Sequence, residues 1–277
     1  MDAPDPAVAR LLALLDLTKV DRDIFQTPNP GDGAGRLFGG QVASQALRAA
    51  ANTVTASHAV NSLHAYFLRP GRFGLPVTYL VDRIRDGSSF TTRRVVALQD
   101  GEAILNLDAS FHADEPGDEF QLESPVDAMP PPDGLERDTD HFGPHRRPID
   151  HREVEPSPAR STRAMWIRTS EALGDDPVLH ACVITYLSDS GPVSAARRAI
   201  GRGGRRGGWG GDLMTASLDH TLWFHQPARA DEWLLYELQA VACGRARGLT
   251  RGAMWTQDGR LAVSVTQEAL LRPRREA

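Results

Sequence analysis

Lysine is nearly absent from this sequence. Lys19 is the single example among 31 basic residues, so arginine carries almost all of the positive charge. Arginine's planar fork suits bidentate contact with carboxylates and phosphates, which a lysine point charge does not match. Cysteine is scarce too. Cys182 and Cys243 lie in apolar segments and are too few for a disulfide framework, so they read as core thiols of a chain kept in a reducing compartment. No stretch approaches the ~18 uninterrupted apolar residues of a membrane-spanning helix, and no charged segment followed by an apolar run opens the chain. No membrane span is therefore expected, and the cytoplasm is the expected location. An excess of positive charge is also missing: the net charge of −5 argues against a nucleic-acid partner gripped by a basic face.

The motifs of cofactor and nucleophile chemistry are missing as well. There is no CxxC and no HExxH, and His141, His145 and His151 lie among arginines in a polar stretch, so no metal is expected. The glycines from Gly201 to Gly211 follow no strand and open no clear helix, so a dinucleotide-binding fold is not indicated. No GxSxG elbow occurs, and neither cysteine has a histidine partner at a recognisable spacing. What remains is direct attack by a bound water. That chemistry needs a carboxylate to take a proton, polar side chains to orient the water, and backbone donors for a developing oxyanion.

What the chain does have is a repeat. Its 277 residues, 41% of them hydrophobic, suffice for two ordinary domains. Ala7 to Leu17 has apolar residues at helical spacing, and a Gly- and Pro-rich loop follows from Thr27 to Gly35. After Gly39 and Gly40, Val42 to Val54 is Ala- and Leu-rich and reads as a buried helix. The period then becomes that of strands: His58 to Leu68, Val77 to Arg85, Phe90 to Gln99 and Ala103 to His112, with Asp86-Gly87 and Asp100-Gly101 as turns. Asp114 to Pro158 is rich in Pro and charge and reads as a linker with one edge strand near its end.

Beyond the linker, Trp166 to Leu173 and Val178 to Leu187 are apolar, and Ser188 and Asp189 look like the cap of a following helix. Strands return at Thr215 to His225, Glu232 to Cys243, Thr250 to Thr256 and Leu261 to Leu271. Aligning Pro70 with Pro227 brings the triplet Gln99-Asp100-Gly101 within one residue of Gln257-Asp258-Gly259, each followed by one last apolar strand. A duplicated helix-plus-sheet unit explains the length. The Gly- and Arg-rich loop, with Arg202, Arg205 and Arg206, reads as either a solvated insertion or an arm that meets substrate phosphates.

Long strings of this sequence resemble the acyl-CoA thioesterase II family: RLFGGQVASQAL (Arg36 to Leu47), SLHAYFLRPG (Ser62 to Gly71), RDGSSFTTRRVVALQDG (Arg85 to Gly101), YLSD (Tyr186 to Asp189), SLDHTLWFHQP (Ser217 to Pro227) and ARGLTRGAMWTQDGRLAVSVTQE (Ala246 to Glu268). The resemblance implies an α+β double hotdog, two repeats each with a long helix wrapped by an antiparallel sheet. Its expected parts are an N-terminal hotdog (1–115), a linker (116–157) and a C-terminal hotdog (158–277).

By the same resemblance the substrate is an acyl-CoA, hydrolysed to a fatty acid and CoA without a cofactor. Asp189, at the start of the second hotdog helix, draws a proton from water that Ser217 and Gln267 orient. The turn Phe38-Gly39-Gly40 packs near the site, and the chain forms a homodimer or homotetramer. Two departures stand out: Ser217 replaces the Thr of many members, and glycines beyond Ala199 should end the second helix early. The altered loop also fits a catalytically weak acyl-CoA binding scaffold, and His64 would suit a hotdog dehydratase.

Overall fold

The structure, a computed structural model, describes residues 6–30, 35–138, 148–156, 162–202 and 213–274. Helix α1 (Pro6–Leu15) and the hairpin β1 (Thr18–Asp21) and β2 (Ile24–Thr27) precede α2 (Gly39–Ala51). Then come β3 (His58–Phe67), β4 (Val77–Asp86), β5 (Phe90–Gln99) and β6 (Glu102–Ala113). The second half holds β7 (Ile149–Val154), β8 (Arg163–Thr169), α3 (Pro177–Ser188), α4 (Pro192–Ala199), β9 (Leu213–Ser217), β10 (Asp219–Phe224), β11 (Leu234–Gly244), β12 (Arg247–Thr256) and β13 (Leu261–Pro273).

Turn chemistry sets the strand boundaries. Asp100 and Gly101 both take left-handed backbone, φ 54° and 77°, the geometry of a two-residue hairpin that matches strand twist. Strand burial then alternates, as in β5, where Thr91, Arg93, Val95, Ala97 and Gln99 face inward.

The strands form one antiparallel sheet in the order β1-β2-β4-β5-β6-β3-β10-β13-β12-β11-β8-β7, with β9 paired to β13. The second half repeats the order of the first in reverse, so the duplicated units meet edge to edge. Their seam is β3 against β10, where Leu63 faces Leu222 with both fully buried. Joining the halves here removes two edges that would otherwise invite association.

The helices lie on the inner face. From Gly40 to Leu47, α2 is buried at every position, and its alanines let the backbone approach the sheet closely. Its polar members are matched: Gln45 donates to the Leu14 carbonyl at 2.9 Å and accepts from the Tyr79 hydroxyl at 2.6 Å. The helices α2 and α3 run antiparallel, since Arg48 near the end of α2 pairs with Asp176 at the N-cap of α3, 3.1 Å away. Asp176 also accepts from the Val178 amide at 2.9 Å, ahead of Pro177 at the first helical position.

Three features differ from the sequence expectation. First, Val178 to Leu187 is a helix, and Asp189 is its C-cap, not the N-cap of a following one. Buried from Cys182 to Ser188, α3 has no polar stripe to mark it as helical. Second, the strand expected over Thr215 to His225 breaks at Leu218 into β9 and β10, where the Glu268 amide bonds the Asp219 carboxylate at 2.6 Å. Third, the linker is a strap. Gln121 bonds both Gly259 O and Leu261 N, and Val126, Met129 and Leu135 pack on Trp166, Trp233 and Trp255. The edge strand expected near its end is β7.

Candidate active site

The turn after α3 aims the site. Gly191 has φ 151°, and a Cβ there would fall 2.5 Å from Leu238 Cδ1, so only glycine lets the chain reverse so tightly into Pro192 and α4. Asp189 is thereby held at the C-terminal end of α3 and pointed at the N-terminus of α2. Its Oδ2 accepts the Gly40 amide at 2.8 Å. A Cβ on Gly39 would lie 2.8 Å from that oxygen, and one on Gly40 would lie 2.6 Å from the Tyr186 carbonyl. Both glycines are thus required by close approach. Phe38 closes the corner with its ring edge-to-face on Tyr186, centroids 5.0 Å apart.

Ser217, the last residue of β9, donates its hydroxyl to Asp189 Oδ1 at 3.1 Å. Gln267 in β13 donates its Nε2 to Ser217 Oγ at 2.8 Å. The result is a directed chain, amide to hydroxyl to carboxylate. Gln267 lies not on an edge but on an interior strand between β10 and β12, and it is fully buried.

Two neighbours complete the wall. The Tyr236 hydroxyl donates to the Ser188 carbonyl at 2.8 Å, and burial, with the charge of Asp189 behind it, keeps that phenol protonated far above its usual range. His220 is fully buried, with Nε2 2.7 Å from Ser188 Oγ.

Comparison with known proteins matches both halves. Residues 27–112 fit the acyl-CoA thioesterase N-terminal domain and residues 105–271 the C-terminal domain. Human acyl-coenzyme A thioesterase 8 is 36% identical, over 94% of this chain and 88% of its own. A crystal structure of acyl-CoA thioesterase II TesB2 from Mycobacterium marinum superposes with TM-score 0.82 at 38% identity, covering 95% of this chain and 98% of that one. The chain belongs to the acyl-CoA thioesterase family. Its fold is shared more widely: a hot dog fold protein from Alicyclobacillus acidocaldarius aligns with TM-score 0.76 at 18% identity, covering 96% of this chain and 99% of that one.

Within this thioesterase fold, the residues nominated from sequence divide clearly. Asp189, Ser217, Gln267, Phe38, Gly39 and Gly40 are brought together from both halves. Arg202 is exposed beyond the far end of α4, with its amide bonded to Arg197 O, while Arg205 and Arg206 lie outside the described residues. His64 is exposed on the outer face of the sheet, edge-on to Trp223, and so lies on the side opposite Asp189. That leaves a dehydratase reading without its base.

His141 and His145 also lie outside the described residues. Asp138, His151 and Glu153 bring ligand atoms within 4.8 Å of one another, but the Arg163 guanidinium already bonds His151 and Glu153 and occupies the place a cation would take. An open depression lined by Arg168, Thr169, Glu171, Arg229 and Asp231 lies near the other end of α3.

Sequence reasoning missed Ser188 and His220 as parts of the site. His220 shares its strand parity with the buried Leu222, so alternation placed it on the inner face beside Gln267.

Proposed function

We propose that Asp189 is the general base of a single hydrolytic centre, which cleaves acyl-CoA to a fatty acid and CoA through a water oriented by Ser217 and Gln267. The observation that carries this reading is the directed chain Gln267 to Ser217 to Asp189, ending on a carboxylate at a helix N-terminus. Asp189 keeps lone pairs free on both oxygens after accepting from Gly40 and Ser217, so it can still take a proton. The water oxygen attacks the thioester carbonyl carbon as its proton passes to Asp189. The positive end of α2 faces the developing oxyanion. The tetrahedral intermediate then collapses, the C–S bond breaks, and the proton on Asp189 returns to the thiolate. No covalent enzyme intermediate is needed, because a thioester is activated enough for water.

The Ser217 hydroxyl, bonded directly to a carboxylate, also supports a second reading in which it attacks the thioester itself. Release of free thiol from a panel of acyl-CoA esters, followed by rapid quenching and mass measurement of the intact protein, separates the two. Turnover with no acylated protein is the expected result, and an acyl adduct on Ser217 overturns water attack.

For the assembly, the outer face at the seam exposes Tyr66 and Trp223, a surface suited to a second copy, which supports a homodimer or homotetramer. A monomeric mass by light scattering contradicts that. No helix among the described residues is long and apolar enough to cross a membrane, and Cys182 and Cys243 are unpaired, which supports a reducing location such as the cytoplasm.

A further inference from the structure

Two buried polar atoms beside the site have no hydrogen-bond partner: Nδ1 of His220 and Oε1 of Gln267. Both residues are fully buried, on adjacent strands. The register of β10 on β13 pairs Thr221 with Thr266, so one further step sets His220 opposite Gln267. Which of these atoms carries hydrogen decides whether they attract or oppose each other.

Ser188 Oγ lies 2.7 Å from His220 Nε2 and 2.9 Å from the Thr185 carbonyl, and it has one proton to give. Given to Thr185, that proton forces the imidazole to carry its hydrogen on Nε2. Nδ1 is then an acceptor on the strand beside Gln267, and neither it nor Gln267 Oε1 finds a donor. Given to Nε2, it leaves the hydrogen on Nδ1, which can donate to Gln267 Oε1. Every group is then matched, and the chain of donors runs Ser188, His220, Gln267, Ser217, Asp189. Burial keeps the imidazole neutral by pushing its pKa down, against the opposing charges of Asp189 and Asp219 and the Gln267 amide.

We infer that His220 is a positioning residue: its Nδ1–H holds the Gln267 amide with oxygen toward the imidazole and nitrogen toward Ser217. The consequence falls on Asp189. With the amide reversed, its oxygen would compete for the Ser217 proton, and the carboxylate would lose a donor. With the amide locked, Ser217 can donate only to Asp189, so the hydroxyl is preset for orienting water. The first half provides an internal control, since there Leu63 pairs with Ala109 and no polar chain forms.

This inference rests on the site proposed above, and its test separates the two. Nitrogen-15 NMR of histidine-labelled protein at pH 7 reads the tautomer in the unaltered chain, with His220 assigned through its contacts to Ser188 and Gln267. Hydrogen on Nδ1 is the expected result, and hydrogen on Nε2 overturns the inference.

Kinetics with folded variants adds a second reading. His220→Gln keeps a polar group toward Ser188 but none toward Gln267, and kcat should fall about 30-fold or more with KM within about twofold. His220→Asn restores a donor at the Nδ1 position and should recover most of that loss. Equal activity of the unaltered protein and His220→Gln, or equal losses in both variants, overturns the inference while leaving Asp189 as base. If Asp189→Asn retains full activity, the site reading itself fails, and the inference with it.

Discussion

The two halves of the sheet share one architecture and differ in what their cores contain. At the C-cap of α2 stands Asn52, while at the C-cap of α3 stands Asp189. Where β3 and β6 pair Leu63 with Ala109, the corresponding strands β10 and β13 carry His220 and Gln267. Both halves bury polar side chains, Gln45, Arg93 and Gln99 among those of the first, but to the proposed site the first half contributes through backbone, with the Gly39-Gly40 turn and the start of α2. The second half buries a carboxylate, an amide and an imidazole, groups that cost free energy unless each finds a partner. In the proposed site, then, the first half supplies backbone donors and the second supplies the polar side chains. The outer faces differ too, because the strap from Gln121 to Leu135 covers the tryptophans of the second half.

The sharpest way to break this division is at Gly40, where the first half touches the chemistry. Gly40→Ala pushes a methyl group into the Tyr186 carbonyl and the Phe38 ring, so the amide must leave Asp189. We expect kcat to fall by about 10²-fold, the scale of losing one preorganised donor. Unchanged thiol release in a folded Gly40→Ala protein would separate α2 from the reaction.

Glu153 tests the polar load of the second half for stability alone. Burial would raise its pKa, but hydrogen bonds and charge from His151 and Arg163 outweigh this and hold it well below the usual carboxylate value. A depressed folded pKa means that the stabilisation is complete above the unfolded value near 4.5 and is lost as pH falls below it. Glu153→Gln leaves Arg163, which is 4% exposed, without its anion. Stability should drop by about 3 kcal/mol at pH 7. Below pH 4.5 the variant's melting temperature should fall less steeply than that of the unaltered protein. Parallel melting curves across that range would show that the pair contributes nothing. The smallest effect is expected at Asn52, the counterpart of Asp189: Asn52→Ala should leave kcat within about twofold, since no reacting group gathers there. A large loss would mean that the first half also holds a working centre.

Much of the scaffold could be read from residues alone. Alternation and the Asp-Gly turns marked the long strands, and the recurring Gln-Asp-Gly triplet marked the duplication. Helix α3 could not be found that way, because a helix buried on all sides loses the amphipathic period. That hid the position of Asp189, since Ser188-Asp189 has the composition of an N-cap yet stands at a C-terminus. Asp189, Ser217 and Gln267 were nominated by resemblance; read singly, each has an ordinary structural role. His220 went unread because its partners, Ser188 and Gln267, are distant in sequence and meet it only through sheet register.

In the proposed reaction the proton passes from water to Asp189. Comparing free-thiol release by the unaltered protein and by Asp189→Asn, a nearly isosteric change that removes the base, tests it most directly. A loss of at least about 10²-fold in kcat, with the ester still bound, is the predicted result. Equal turnover by the two proteins would contradict it.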